Sequence, residues 1–96
     1  MLTSILLRKR PRTLDRWDMI IMAGEFIDDG GYNAYSFRGS VKKAGEELTH
    51  EIQQAKLKGD VEWRCDCDAV AAYVPNAWHL RRLGGENVKS KGKVTA

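Results

Sequence analysis

The chain has few of the residues that mark a stapled, membrane-spanning or low-complexity protein. Its 96 residues include two cysteines and two prolines, and its nine glycines follow no fixed period. Cys65 and Cys67 are one residue apart, so they cannot link distant segments as the disulfides of secreted scaffolds do. No apolar run approaches the roughly 18 residues of a transmembrane helix. We therefore expect one small domain in the cytoplasm, with both thiols reduced.

Residues for catalysis or ligand binding are also scarce. No glycine-rich loop has the spacing and the Lys-Ser/Thr ending of a nucleotide cradle. A single Cys-x-Cys supplies at most half of the usual structural zinc motif, and the neighbouring Asp66 and Asp68 disfavour a thiolate. Only His79 could activate a cysteine as a nucleophile. We expect no enzyme, no metal, no cofactor and no small-molecule substrate.

What the chain does have is an uneven distribution of charge. The formal net charge is +3, but all the acidic residues lie between residues 13 and 86. We interpret residues 1–12 as a basic arm, residues 13–86 as a single helical domain and residues 87–96 as a basic flexible tail. Basic terminal segments are typical contacts for nucleic acid or acidic surfaces. The candidate contacts are Arg8, Lys9, Arg10, Arg12, Lys89, Lys91 and Lys93.

Hydrophobic periodicity favours an all-α fold, a bundle of three to four helices. Apolar residues recur at helical spacing from Thr13 to about Asp29, and Gly30-Gly31 would end that helix. The clearest helix begins after a Ser40 cap and carries one apolar stripe. The stripe consists of Val41, Ala44, Leu48, Ile52 and Ala55.

The segment after the second helix is ambiguous. Residues 61–67 alternate between apolar and polar, as in a strand, but the alanines that follow favour a helix over 61–74. In the alternative, an α+β fold, residues 33–37 and 61–67 form a short strand pair. Pro75 ends the 61–74 helix and starts a last one through Leu83. Since an X-Pro bond can be cis or trans, Pro75 is also a candidate conformational residue.

Aromatic and arginine side chains supply candidate anchors for a macromolecular partner. They lie in the connector before Ser40 and in the predicted last helix: Tyr32, Tyr35, Phe37, Trp78, Arg81 and Arg82. We predict an adaptor, modulator or inhibitor that docks on a larger protein complex, which itself could handle nucleic acid. The acidic middle of the chain would repel a duplex, which favours this hypothesis.

The alternative hypothesis is a nucleic-acid-binding protein that contacts phosphates through its basic arms. We expect no membrane partner under either hypothesis. In its size and its lack of catalytic residues, the chain resembles the small accessory or inhibitor proteins that phages and plasmids encode.

Overall fold

This computed structural model describes residues 1–24, 32–79 and 91–94. In chain order its elements are strands β1 (Leu2–Lys9), β2 (Arg16–Ala23) and β3 (Tyr32–Arg38), helix α1 (Val41–Lys56), strand β4 (Asp60–Cys65), helix α2 (Asp68–Ala71), a 3-10 helix (Asn76–Trp78) and strand β5 (Lys91–Val94). The described chain is an α+β protein in which strands predominate.

The five strands form one mixed sheet in the order β3-β2-β1-β4-β5. β1 pairs with β2, β2 with β3 and β4 with β5 in antiparallel fashion, whereas β1 and β4 are parallel. Parallel neighbours cannot be joined by a tight turn, so the chain needs a crossover between them. α1 lies in that connection, between edge strand β3 and β4. The first strand of the chain thus occupies the centre of the sheet.

One face of the sheet is covered by the helices and holds the core. Successive residues of a strand point to opposite faces, and Ile5 and Leu7 of β1 and Trp17 and Met19 of β2 are fully buried on the helix-covered side. Trp17 is fixed further, since its Nε1 donates to the Gly39 carbonyl over 2.9 Å. The other members of the buried cluster are Ala44, Leu48, Ile52, Ala55, Val61, Trp63, Cys65, Val70, Ala71, Val74 and Val94.

The second predicted helix is confirmed as α1. Ser40 caps it, because the Ser40 hydroxyl accepts a hydrogen bond from the Lys43 amide at 3.2 Å. Within its apolar stripe Ala44, Leu48 and Ile52 are fully buried against the sheet. In the described ranges, no helix is both long enough and apolar enough to cross a membrane.

The all-α prediction is wrong, and the first helix shows why. Residues 13–24 contain β2 rather than a helix, and residues 25–31 lie outside the described part. Trp17, Met19 and Ile21 alternate on the core side, while Ile20 and Met22 occupy the other face. A strand that is apolar on both faces reads as a near-continuous apolar run, which also satisfies helical spacing.

The predictions for the second half also need correction. The helix over 61–74 is wrong, because Asp60–Cys65 is strand β4 and only Asp68–Ala71 is helical. The alternative strand pair is wrong as well: both strands exist, but β2 and β1 lie between them. Of the helix predicted from Pro75 through Leu83, the described residues contain only the 3-10 helix Asn76–Trp78. Residues 80–90 lie outside the described part.

The prediction of flexible basic ends fails too. Leu2–Lys9 is the central strand β1, and Lys91–Val94 is the edge strand β5. Because the charges of each segment are of one sign, the sequence predicts solvent-exposed ends. A segment rich in charge can nevertheless be a strand of the sheet. Its side chains alternate between the two faces, so the charged residues can lie on one face or at one end while the others are buried.

Candidate functional site

The face of the sheet opposite the helices is a candidate binding surface. We call it the open face. α1 packs on the other face, where the Tyr35 hydroxyl lies 3.3 Å from a Glu51 carboxylate oxygen. The open face carries a central apolar row, interrupted on β1 by the fully buried Ser4. Its apolar members are all half-buried: Leu2, Leu6, Ile20 and Met22.

Basic side chains border this apolar row where β1 ends and β2 begins. We call Arg8, Arg10, Arg16 and Arg38 the arginine cluster. The β-ladders place Arg8 opposite Asp18, and Arg16 opposite Arg38. All four arginines are exposed. A patch with an apolar centre and an arginine border has the composition of many protein interfaces.

Asp18 organises one half of the cluster. Arg10 Nε lies 3.1 Å and 3.2 Å from the two Asp18 carboxylate oxygens, and Arg10 Nη2 donates to Ser36 Oγ at 2.9 Å. The Ser36 hydroxyl in turn donates to Asp18. The hydrogen bond from Ser36, followed by those from Arg10 and by the charges of Arg10 and Arg8, lowers the pKa of Asp18. The carboxylate therefore stays ionised and holds Arg10 over the sheet.

The turn between β1 and β2 is ordered by its own hydrogen bonds. The Arg10 amide donates to the Arg16 carbonyl at 2.9 Å, and Thr13 Oγ1 donates to the Arg10 carbonyl at 2.8 Å. Lys9 Nζ donates to the Thr13 carbonyl at 2.7 Å, so this charge points back into the turn. Arg12 has a φ of 65°, the left-handed conformation that tight turns use. The basic residues predicted as an arm are held in a defined arrangement.

A small open pocket of about 190 Å³ lies at the edge of the arginine cluster. It is lined by Arg10, Arg16, Ser36, Phe37 and Arg38. Arg38 approaches Asp15 at 3.7 Å, with both side chains more than half exposed. Neither Arg8 nor Arg16 forms an ion pair with another described residue. Guanidinium groups without a carboxylate partner are free to meet an anionic ligand.

Two of the aromatic candidates, Tyr35 and Phe37, lie on the core side of the sheet, opposite Met19 and Trp17. The ring centroids of Tyr35 and Phe37 are 6.1 Å apart, and Phe37 packs against the core. Burial, then the charges and hydrogen bonds of Glu51 and Glu47, raise the pKa of Tyr35. In the β2–β3 ladder Tyr32 is paired with Met22. Arg81 and Arg82 lie outside the described residues.

Trp78 packs against the core. Its carbonyl accepts a 3.0 Å hydrogen bond from Trp63 Nε1, and Lys56 Nζ lies 5.9 Å from the centre of its ring. The Val74–Pro75 bond is trans. Trp78 is therefore a half-buried cover on the core.

The C-terminal basic residues are divided. Lys93 Nζ lies 3.4 Å from a Glu62 carboxylate oxygen across the β4–β5 ladder. In the same ladder Lys91 is paired with Arg64. Lys89 lies outside the described residues. The described part of this segment thus contributes to a sheet edge.

Cys65 and His79, the residues considered for nucleophilic catalysis, both contact backbone carbonyls. Both cysteines are free, and burial raises the pKa of Cys65 to about 11. Its Sγ donates to the Cys67 carbonyl at 2.8 Å, and His79 Nε2 lies 3.0 Å from the Val74 carbonyl. Among the residues that the structure describes, no group of three or more His, Cys, Asp or Glu side chains could hold a metal ion.

Half of this surface is not evident from the sequence. Arg8 and Arg10 are among the predicted contacts, but Arg16 and Arg38 are not, since they join the other two only through the pairing of β1, β2 and β3. The alternation of Ile20 and Met22 with the buried residues of β2 was the available signal, and helical spacing obscured it.

No protein-family model, curated protein or solved structure matches the chain.

Proposed function

We propose that this is a non-enzymatic binding protein that docks through its open face on a larger protein. The single observation that carries the proposal is the half-buried row of Leu2, Leu6, Ile20 and Met22, bordered by the arginine cluster. The partner would present an apolar patch beside an acidic border. An adaptor, modulator or inhibitor of a larger complex fits this description.

The composition of the open face favours protein over nucleic acid. Sheets that bind single-stranded nucleic acid stack bases on exposed aromatic rings, whereas the centre of this face is aliphatic. Aliphatic residues together with arginine are typical of the desolvated centre and the border of a protein interface. The acidic side chains of α1, Glu47 and Glu51, lie on the opposite side and face Tyr35. Acidic groups of the partner would therefore not meet these two carboxylates at the open face.

Two further features belong to the proposal. The residues with catalytic potential are either buried, as Cys65 is, or bonded to the backbone, as His79 is, which favours binding over catalysis. A reducing compartment suits the two free thiols, so we place the protein in the cytoplasm.

The test is affinity capture of the full chain from its native cells with nuclease present. We expect a stable protein partner that is lost with Ile20→Lys, because a charge would enter the apolar row. Leu57→Lys is the matched control, since Leu57 is 82% exposed at the end of α1. Ile20→Thr retains a β-branched strand residue and should weaken capture without abolishing the fold.

Circular dichroism and a thermal melt confirm that each variant is folded. Equal capture by the wild type and a folded Ile20→Lys variant contradicts the proposal. Recovery of nucleic acid alone, lost on nuclease treatment, would favour the alternative of direct phosphate binding. The salt dependence separates the two, since neutralisation of several phosphates gives a steep loss of affinity with salt.

A further inference from the structure

Two arginines are placed directly opposite each other at the end of the sheet. Arg16 of β2 and Arg38 of β3 are cross-strand partners. Like charges at such positions destabilise a sheet because the side chains are neighbours. The Asp15 carboxylate is 3.7 Å from Arg38, and both side chains are largely in solvent. This compensation is weak, because exposed ion pairs contribute little.

The same two arginines line a pocket with a third arginine and a hydroxyl. Arg10 and Ser36 complete its polar wall. Arg10 is preset by its bonds to Asp18, whereas Arg16 has no carboxylate partner among the described residues. Preorganised guanidinium forks are the usual donors to phosphate and carboxylate groups. An anion seated here would relieve the repulsion between Arg16 and Arg38.

The charge of the surroundings selects among the possible anions. The three arginines of the pocket and neighbouring Arg8, which lies opposite Asp18, carry four positive charges, and Asp15 and Asp18 neutralise two of them. The remaining surplus of two matches a phosphate monoester, which carries about −1.5 to −2 at pH 7. A carboxylate or a phosphodiester carries a single negative charge and would leave part of the surplus uncompensated.

We propose that the pocket of Arg10, Arg16, Ser36 and Arg38 binds a phosphate monoester, namely a phosphoserine or phosphothreonine of the partner protein. This inference rests on the proposed docking function, because it identifies the group that the partner places beside the apolar row. Phosphorylation of the partner would then control docking.

The first test is titration of the ¹⁵N-labelled full chain, followed by NMR. The probes are inorganic phosphate, a nine-residue Gly/Ala peptide with one central phosphoserine, and its unphosphorylated twin. We expect saturable shifts of the Nε–H signals of Arg10, Arg16 and Arg38 and of the Ser36 amide with both phosphate probes. The twin should cause none. Equal shifts with the twin, or no saturable shifts with the phosphopeptide, would overturn the proposal.

Variants separate a built site from general charge attraction. Arg16→Gln and Arg38→Gln should each weaken phosphopeptide binding by at least about tenfold, as loss of a charge-assisted hydrogen bond does. Arg16→Lys keeps the positive charge but loses the planar guanidinium group, so its phosphopeptide affinity should lie between those of the wild type and Arg16→Gln. Lys42→Gln removes one charge from exposed α1 surface and should leave the affinity unchanged. An equal loss with Lys42→Gln contradicts the proposal.

A DNA oligonucleotide, with and without a 5′-phosphate, forms the last arm. Equal binding of both forms at the phosphopeptide's affinity would show phosphodiester recognition and overturn the inference.

The phosphate site and the docking proposal can be refuted separately. If partner capture is lost with Ile20→Lys but survives phosphatase treatment of the lysate, docking stands and the phosphate site does not. If capture survives Ile20→Lys, the docking proposal fails whatever the peptide does.

Discussion

Two consecutive leucines of β1 provide a sharp test of the two-faced sheet. Leu7 is fully buried in the core, whereas Leu6 lies half-buried on the open face. Truncation of a buried leucine to alanine costs about 2–5 kcal/mol, from lost transfer free energy and the residual cavity. A half-exposed leucine loses only part of a transfer term of roughly 1.5–3 kcal/mol and leaves no cavity, so about 1 kcal/mol is expected.

The assay is urea unfolding followed by the fluorescence of the buried Trp17 and Trp63. With a slope of about 1–3 kcal/mol per molar urea for small domains, Leu7→Ala should lower the midpoint by about 1 M or more. Leu6→Ala should lower it by a fraction of that shift. Equal losses would contradict the assignment of faces. Negligible losses in both variants would mean that residues 2–9 are not a central strand.

Three further predictions follow from individual contacts. Gly92→Ala should destabilise the fold by about 1–3 kcal/mol in the same assay, since a Cβ there would overlap the Trp78 carbonyl; stability within 0.5 kcal/mol of the wild type would contradict that contact. At pH 8, iodoacetamide should label half-buried Cys67 well before Cys65, whose pKa burial raises to about 11; mass spectrometry of the peptides detects the order. Because the pKa of Asp18 is lowered in the fold, its stabilising contribution is present above the unfolded pKa of about 3.9 and is lost as the pH falls. Asp18→Asn should therefore show a smaller loss of stability than the wild type when the pH is lowered from 6 to 2.

The elements predicted correctly are those encoded locally. α1 has a capping serine, a stripe at spacings of three and four, and a polar remainder, all within one segment. Such a pattern has one structural solution. The ambiguity of residues 61–67 was also visible, because their alternation is that of a strand. The helix propensity of the following alanines favoured a helix over this segment, but its pairing with β1 and β5 makes it a strand.

The sheet itself depends on partners that are distant in sequence. β1 pairs with β4, so Leu2 lies opposite Asp60 and Leu7 opposite Cys65. No local window contains that information, and a short apolar run beside four basic residues reads as an arm. The second half of β2 is apolar on both faces, which removes the polar side that would distinguish a strand from a helix.

The candidate site was half predicted for the same reason. The density of basic charge in residues 8–12 was evident from the sequence. Its convergence with Arg16 and Arg38 depends on the register of two hairpins. The aromatic candidates Tyr35 and Phe37 are two residues apart on β3, so both lie on the face of the sheet that the helices cover. Their role as partner anchors stays a prediction.

Site-specific photocrosslinking tests the central claim most directly. A photoreactive phenylalanine derivative is placed at Ile20 on the open face or at Leu57 at the end of α1, and the full chain is irradiated in its native cells. The account predicts one predominant protein adduct from position 20 that is absent from position 57. Adducts of equal yield from both positions, or adducts to nucleic acid alone, would contradict a protein-docking role for the open face.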